Sequence, residues 1–117
     1  MRKGIIALTV SFLAVSAAAQ QPVSADRFAD AVNHWNKEHG AQTYERYKPD
    51  RFREIADNIV AYQNADGGWP KNLDMLARLD PDSVKAALKP RHRLSTLDNA
   101  NVYTQVEYLS NVYLLTG

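Results

Sequence analysis

The amino-acid sequence predicts an all-α fold of about four helices behind an export signal. Apolar residues recur at helical spacing around 28–35, 52–62 and 102–113. Helix-boundary residues stand between these segments: Gly40, Asp66-Gly67-Gly68, Asp80-Pro81 and Pro90. No alternating apolar and polar run is long enough to stand as a strand.

The elements follow in order. Arg2 and Lys3 precede an apolar stretch from Ile5 to Val15, and Ala17-Ala18-Ala19 offers a small-residue cleavage site before Gln20. Residues 1–19 therefore read as a secretory signal and 20–117 as the mature chain, exported to the periplasm or beyond. The apolar stretch is too short to span a ~30 Å hydrocarbon layer, so no membrane association is expected after cleavage. Ser24 is a candidate N-cap for a first helix to about Glu38, with Phe28, Ala31, Val32 and Trp35 as its apolar stripe and Gly40 as its stop. A polar stretch from Ala41 to Pro49 contains Tyr44 and Tyr47. Pro49-Asp50 opens the second helix. Phe52, Ile55, Ala56, Ile59 and Tyr62 or Gln63 make its apolar stripe, and Arg51, Arg53, Glu54 and Asp57 face largely away. Asp80-Pro81 starts a shorter third helix, with proline in the first turn where its missing N–H costs little. Lys89 to Arg93 is a basic loop. The fourth helix is expected from about Ala100 to Leu115, with Val102, Val106, Leu109 and Tyr113 as its buried stripe.

The 117 residues include 14 basic and 13 acidic side chains and no cysteine. Without Arg2 and Lys3, 12 basic residues face 13 acidic ones. This balance argues against nucleic acid as a partner, which favours a strongly basic face. Disulfides and a lipid-anchored cysteine are excluded chemically. His34, His39 and His92 lack metal-ligand spacing and read as surface residues. Lys89, Arg91 and Arg93 read first as a solvated loop, with use by a polyanionic substrate as the alternative.

Two motifs carry the chemistry. The first is Gln63-Asn64-Ala65-Asp66-Gly67-Gly68-Trp69-Pro70-Lys71-Asn72. Its glycines allow positive φ and close backbone approach after a helix. Gln63 can bond free backbone groups nearby, and the Trp69 indole N–H can find an acceptor, so the segment can be structural cement. Alternatively, the Trp69 face and the Lys71 ammonium suit a sugar acid, with Asn72 beside them. The second motif, Ser95-Thr96-Leu97-Asp98-Asn99, runs into Tyr103-Thr104-Gln105. Thr96, Asp98 and Asn99 are all N-cap types, and one of them can simply cap the fourth helix. Asp98 and Asn99, with Asn101 and Thr104 one turn on, also form an oxygen-rich cluster of the kind that suits calcium. They cannot complete a calcium shell alone.

Taken together, Ile55-Ala56-Asp57-Asn58-Ile59 to Tyr62-Gln63, Gly67 to Asn72, Ser95 to Asn99 and Tyr103-Thr104-Gln105 resemble the N-terminal part of the pectate lyases of polysaccharide lyase family 10. The resemblance runs from about Trp35 to the end of the chain. It implies an incomplete part of an (α/α) toroid and calcium-dependent β-elimination of polygalacturonate. It also implies a calcium and substrate role for Asp98, with Asn99 as a weaker metal candidate, and a substrate role for Trp69, Lys71 and Asn72. The base in that family is an arginine, and none of the arginines here matches it. The chain is therefore expected to be a fragment of a lyase, inactive alone. Many members carry glycine after the Asp-Asn pair, where this sequence has Ala100-Asn101. The rivals are another carbohydrate-active enzyme on an α/α toroid, and a non-catalytic exported helical module that binds acidic glycans.

Overall fold

The computed structural model describes residues 23–40 and 44–117; the expected signal at 1–19 lies outside the described residues. The described residues form four α-helices: α1 (Ala29–His39), α2 (Phe52–Tyr62), α3 (Pro81–Ala87) and α4 (Tyr103–Thr116). Short 3-10 turns occupy Asp26–Phe28, Pro90–Arg93 and Asp98–Ala100. Among the described residues there is no strand, only an isolated bridge between Arg46 and Ala77. The chain is all-α, and none of its described helices is long and apolar enough to cross a membrane.

Helix α2 is the hub, packing against both α3 and α4. Its buried side chains are Phe52, Ile55, Asn58, Ile59 and Tyr62, a spacing of three and four that keeps them on one face. Arg51, Arg53 and Asp57 are exposed on the other side. Ile55 and Ile59 are fully buried, and each contributes about 1.5–3 kcal/mol by leaving water. Phe28 packs edge-on against Tyr108 of α4 at 5.5 Å between ring centres, which joins the N-terminal turn to the core. Trp35 of α1 is buried, and His39 stacks on it at 3.7 Å.

Helix α3 starts as its sequence dictates. Asp80 is the N-cap and accepts the Ser83 backbone N–H at 3.2 Å, with Pro81 in the first turn. Its C-terminal end is closed from outside: Arg93 donates to the Ala86 and Leu88 carbonyls at 2.8 and 2.9 Å.

Helix α4 departs from expectation in two ways. It begins at Tyr103, later than Ala100, with no side-chain cap. Its buried face is Thr104, Gln105, Tyr108 and Val112. Of the expected stripe, Val106 and Tyr113 are exposed, and Val102 and Leu109 are half-buried. The physical reason is that α4 has a single charged residue, Glu107, so apolar side chains surround it and hydropathy does not mark an inner face.

A segment with little sequence signal is fixed by a buried polar network. Asp74 is 2% exposed. Its Oδ2 accepts from Arg46 Nε at 2.7 Å and from the Tyr44 hydroxyl at 3.0 Å, while its Oδ1 takes the Leu76 N–H. Arg46 also donates to Asn36 of α1. A buried carboxylate needs such partners. Asn58 of α2 donates to the Met75 and Ala77 carbonyls, seating residues 73–77 on the hub.

Candidate functional site

The two sequence motifs meet in space. Asp66-Gly67-Gly68 turns the chain back after α2: Gly67 has φ +88°, and the Asn64 N–H reaches the Gly68 carbonyl at 2.7 Å. Gly68 lies so close to the second motif that a Cβ there would stand 2.6 Å from Ser95 Cβ. Asp66 Oδ1 accepts both the Gly68 N–H (2.9 Å) and the Ser95 hydroxyl (2.6 Å). These two bonds, the serine first, hold the Asp66 carboxyl below its ordinary range. Asn64 donates to Ser95 Oγ and to the Arg93 carbonyl. Gln63 donates to the Gly67 carbonyl at 2.9 Å, closing the turn from its helix side.

Trp69 is buried to 2% exposure, with its indole N–H on the Ile59 carbonyl at 2.7 Å. This corrects the expectation of an open stacking face: the ring fills the core beside α2, and a sugar cannot lie on it. Its carbonyl serves the second motif, accepting the Thr96 N–H at 3.2 Å and Asn101 Nδ2 at 2.7 Å. Asn101 is 8% exposed. It also donates to the Thr96 carbonyl at 2.7 Å and accepts from Gln105 at 2.6 Å. Its oxygen is thus committed to the protein, and Asn101 leaves the oxygen cluster to become the pin between the motifs.

Lys71 and Asp98 emerge from this junction as a pair. Lys71 Nζ donates to Asp98 Oδ2 at 2.7 Å, with side chains 41% and 66% exposed. Asp98 therefore does not cap α4; its own N–H is taken by Thr96 Oγ1. Asn72 stands beside Lys71 with φ +61°, and its Oδ1 is buried without a hydrogen-bond partner. Two depressions share Lys71 and Asn72. One is a cleft of about 320 Å³ whose other lining residues include Trp35, Leu88, Arg91 and His92. The second is a narrow crevice that also holds Arg27, Asp30, Asp98, Asn99 and Ala100.

The crevice wall is conformationally unusual. Asn99, Ala100 and Val102 have φ of 56°, 56° and 71°. Of the two wall residues, asparagine enters the left-handed region more readily than alanine; Val102, just beyond the wall, has ψ −55° and stands in the rare, strained γ-turn region. The position where the resembled family often has glycine is thus one whose backbone favours glycine, and alanine occupies it.

The oxygens at this site fall short of a calcium shell. Asp98, Asn99 and Asn72 are the candidate donors, and an ammonium already sits on one Asp98 oxygen. Calcium takes six to eight oxygens. Among the described residues no group of three His, Cys, Asp or Glu side chains could hold a metal ion. What the arrangement does offer is a steadied, half-exposed cation beside a second carboxylate oxygen of Asp98.

No family model, curated protein or solved structure matches this chain.

The sequence did not point to Arg27 and Asp30 in the crevice or to the buried Asp74 network. Arg27 is held by Glu107 at 3.1 Å. No spacing rule connects residues 27 and 107, so only the fold brings them together.

Proposed function

We propose that this chain carries the uronate-binding part of a polysaccharide lyase of the pectate-lyase type, acting on polygalacturonate. The observation that supports it is the convergence of two motifs on the Lys71–Asp98 pair, in which Lys71 lines both the cleft and the crevice and Asp98 the crevice. An ammonium oriented by one carboxylate keeps donors for a second. A uronate carboxylate is the natural second partner.

In β-elimination the proton leaves the carbon that bears the carboxylate. The bond from the neighbouring carbon to the glycosidic oxygen breaks, and a carbon–carbon double bond forms between the two. Negative charge grows on the carboxylate as the proton departs, so a fixed cation there lowers the barrier. Lys71 takes this role in the proposal, and Asp98 holds it in place. The base is not assigned to this chain. Arg27, Arg46, Arg51 and Arg78 are engaged with Glu107, Asp74, Glu54 and Glu45, and none of these or of Arg53, Arg91 and Arg93 matches the base that the resemblance implies. Binding without turnover is therefore expected.

The test is a titration of the chain with polygalacturonate and with a neutral galactan, in calcium and in chelator, alongside an ultraviolet assay for the unsaturated product. Binding confined to the acidic polymer, weakened up to about fivefold by Lys71→Ala, supports the proposal; an exposed charge pair is worth up to about 1 kcal/mol. Equal affinity for both polymers, or none for either, sinks it. Product formation would overturn the absence of a base. Tighter binding in calcium than in chelator is the expected mark of the calcium dependence that the resemblance implies.

A further inference from the structure

The basic turn after α3 is not uniform. Arg93 folds back onto the Ala86 and Leu88 carbonyls and closes the end of α3. Its neighbour Arg91 lines the 320 Å³ cleft together with Lys71. Arg91 Nε donates to His92 Nε2 at 3.2 Å, and among the described residues no carboxylate pairs with its guanidinium. Glu38 is the cleft's single acid, against Lys71, Arg91 and His92. The remaining wall is largely apolar, and the volume lies at the lower end of the range for small-ligand pockets.

We propose that Arg91 forms a second carboxylate position in this cleft, so that the preferred ligand is an acidic oligosaccharide with carboxylates on successive sugars, one at Lys71 and another at Arg91. The inference rests on the uronate-binding reading above and adds to it a length requirement and a residue. A guanidinium offers a planar pair of N–H donors matched to a carboxylate. An unpaired one at the wall of a cleft is available to a ligand without first breaking an internal ion pair. The apolar residues of the same cleft, Leu73, Leu88 and Leu94 among them, suit the C–H faces of a sugar chain.

Calorimetric titration with galacturonate, digalacturonate and trigalacturonate tests this at low salt, where exposed charge pairs are least screened. Affinity is expected to rise about fivefold from the monomer to the longer ligands, the size of an exposed ion pair. Arg91→Ala is expected to abolish that rise while leaving monomer binding intact, and Arg91→Lys to keep part of it. Lys71→Ala is expected to weaken all three ligands. Arg91 is exposed and bonds only its neighbour, so an unchanged melting temperature serves as the folding control. A rise that persists in Arg91→Ala, with Lys71→Ala still weakening binding, overturns the second position and leaves the uronate reading standing. No binding of any of the three by the unmodified chain overturns both.

Discussion

Replacing Asn101 by alanine tests whether the two motifs are pinned together as described. The side chain makes three bonds of 2.6–2.7 Å, to the Trp69 carbonyl, the Thr96 carbonyl and Gln105 Nε2. The Trp69 carbonyl keeps the Thr96 N–H at 3.2 Å, so it is not orphaned. The Thr96 carbonyl loses this partner, as does the Gln105 amide, which is only 4% exposed. Each stranded buried group costs about 1–3 kcal/mol. The partly buried Thr96 carbonyl belongs at the low end and Gln105 nearer the middle, giving about 3 kcal/mol. For a domain of this size that lowers the melting temperature by on the order of 15 °C. Circular dichroism during thermal and urea unfolding measures it. Asn101→Asp is the sharper variant. It has the same size, but a carboxylate cannot donate to two carbonyls, so it is expected to cost at least as much as alanine. If Asn101→Asp is as stable as the unmodified chain, or regains its stability on adding calcium, position 101 is a cation ligand and the pin is refuted.

Three further expectations follow from the same junction. Gly68→Ala forces a methyl group to 2.6 Å from Ser95 Cβ and is expected to destabilise by about 1–3 kcal/mol; urea unfolding within error of the unmodified chain would show that the motifs are not in contact. Ala100→Gly relieves a left-handed backbone at φ 56°. Because glycine also loses more freedom on folding, the net gain is expected to be about 0.5–1 kcal/mol, and a loss of stability in urea would place Ala100 outside that region. The carboxyls of Asp66 and Asp80 are lowered, chiefly by the hydroxyls of Ser95 and Ser83. Their stabilisation is therefore present above the ordinary carboxyl value near 3.9 and is lost as pH falls through the lowered folded values. Acid unfolding is expected to be shallower in Asp66→Asn, and superimposable curves would remove Asp66 from the account.

Much of the helical framework was legible because its signals are local. The Asp80-Pro81 start, the Gly67-Gly68 turn and the inward face of α2 each depend on residues within one or two turns of each other. The structure even divides the glycines as their chemistry allows, Gly67 for positive φ and Gly68 for close approach. What the sequence concealed is non-local or degenerate. Helix α4 is apolar on all sides, so periodicity alone pointed to Val106 and Tyr113, which are exposed. Arg46 and Asp74 form a buried pair from two segments with no periodicity. At the site, Trp69 had two roles open to it, and burial selects the structural one. Asn101 has the composition of a ligand and the hydrogen bonds of a pin. Asp98 resembles a cap by residue type but bonds a lysine 27 positions away. The toroid itself belongs to the resemblance, because four helices are compatible with many all-α architectures.

The energetics of the Lys71–Asp98 pair argue for a role beyond stability. Both side chains are substantially exposed, and a pair of that kind is worth about 0–1 kcal/mol. The backbone that presents it is costly. Asn72, Asn99, Ala100 and Val102 all have positive φ, and such residues cost of order 1–3 kcal/mol each, asparagine least. A surface ion pair does not repay that cost. The buried bonds of Asn101, inside the same segment, offset about 3 kcal/mol of it, and the proposal assigns the rest to a ligand that completes the crevice. Asp98→Asn, which keeps the shape and removes the charge, discriminates between the two roles. If the pair serves only folding, this variant loses at most about 1 kcal/mol and binds acidic sugar as before. If the carboxylate orients Lys71 for a ligand, stability is still nearly unchanged but affinity for polygalacturonate falls. Unfolding and titration on the same sample separate the two, and retention of full affinity would leave the strained wall without a functional explanation.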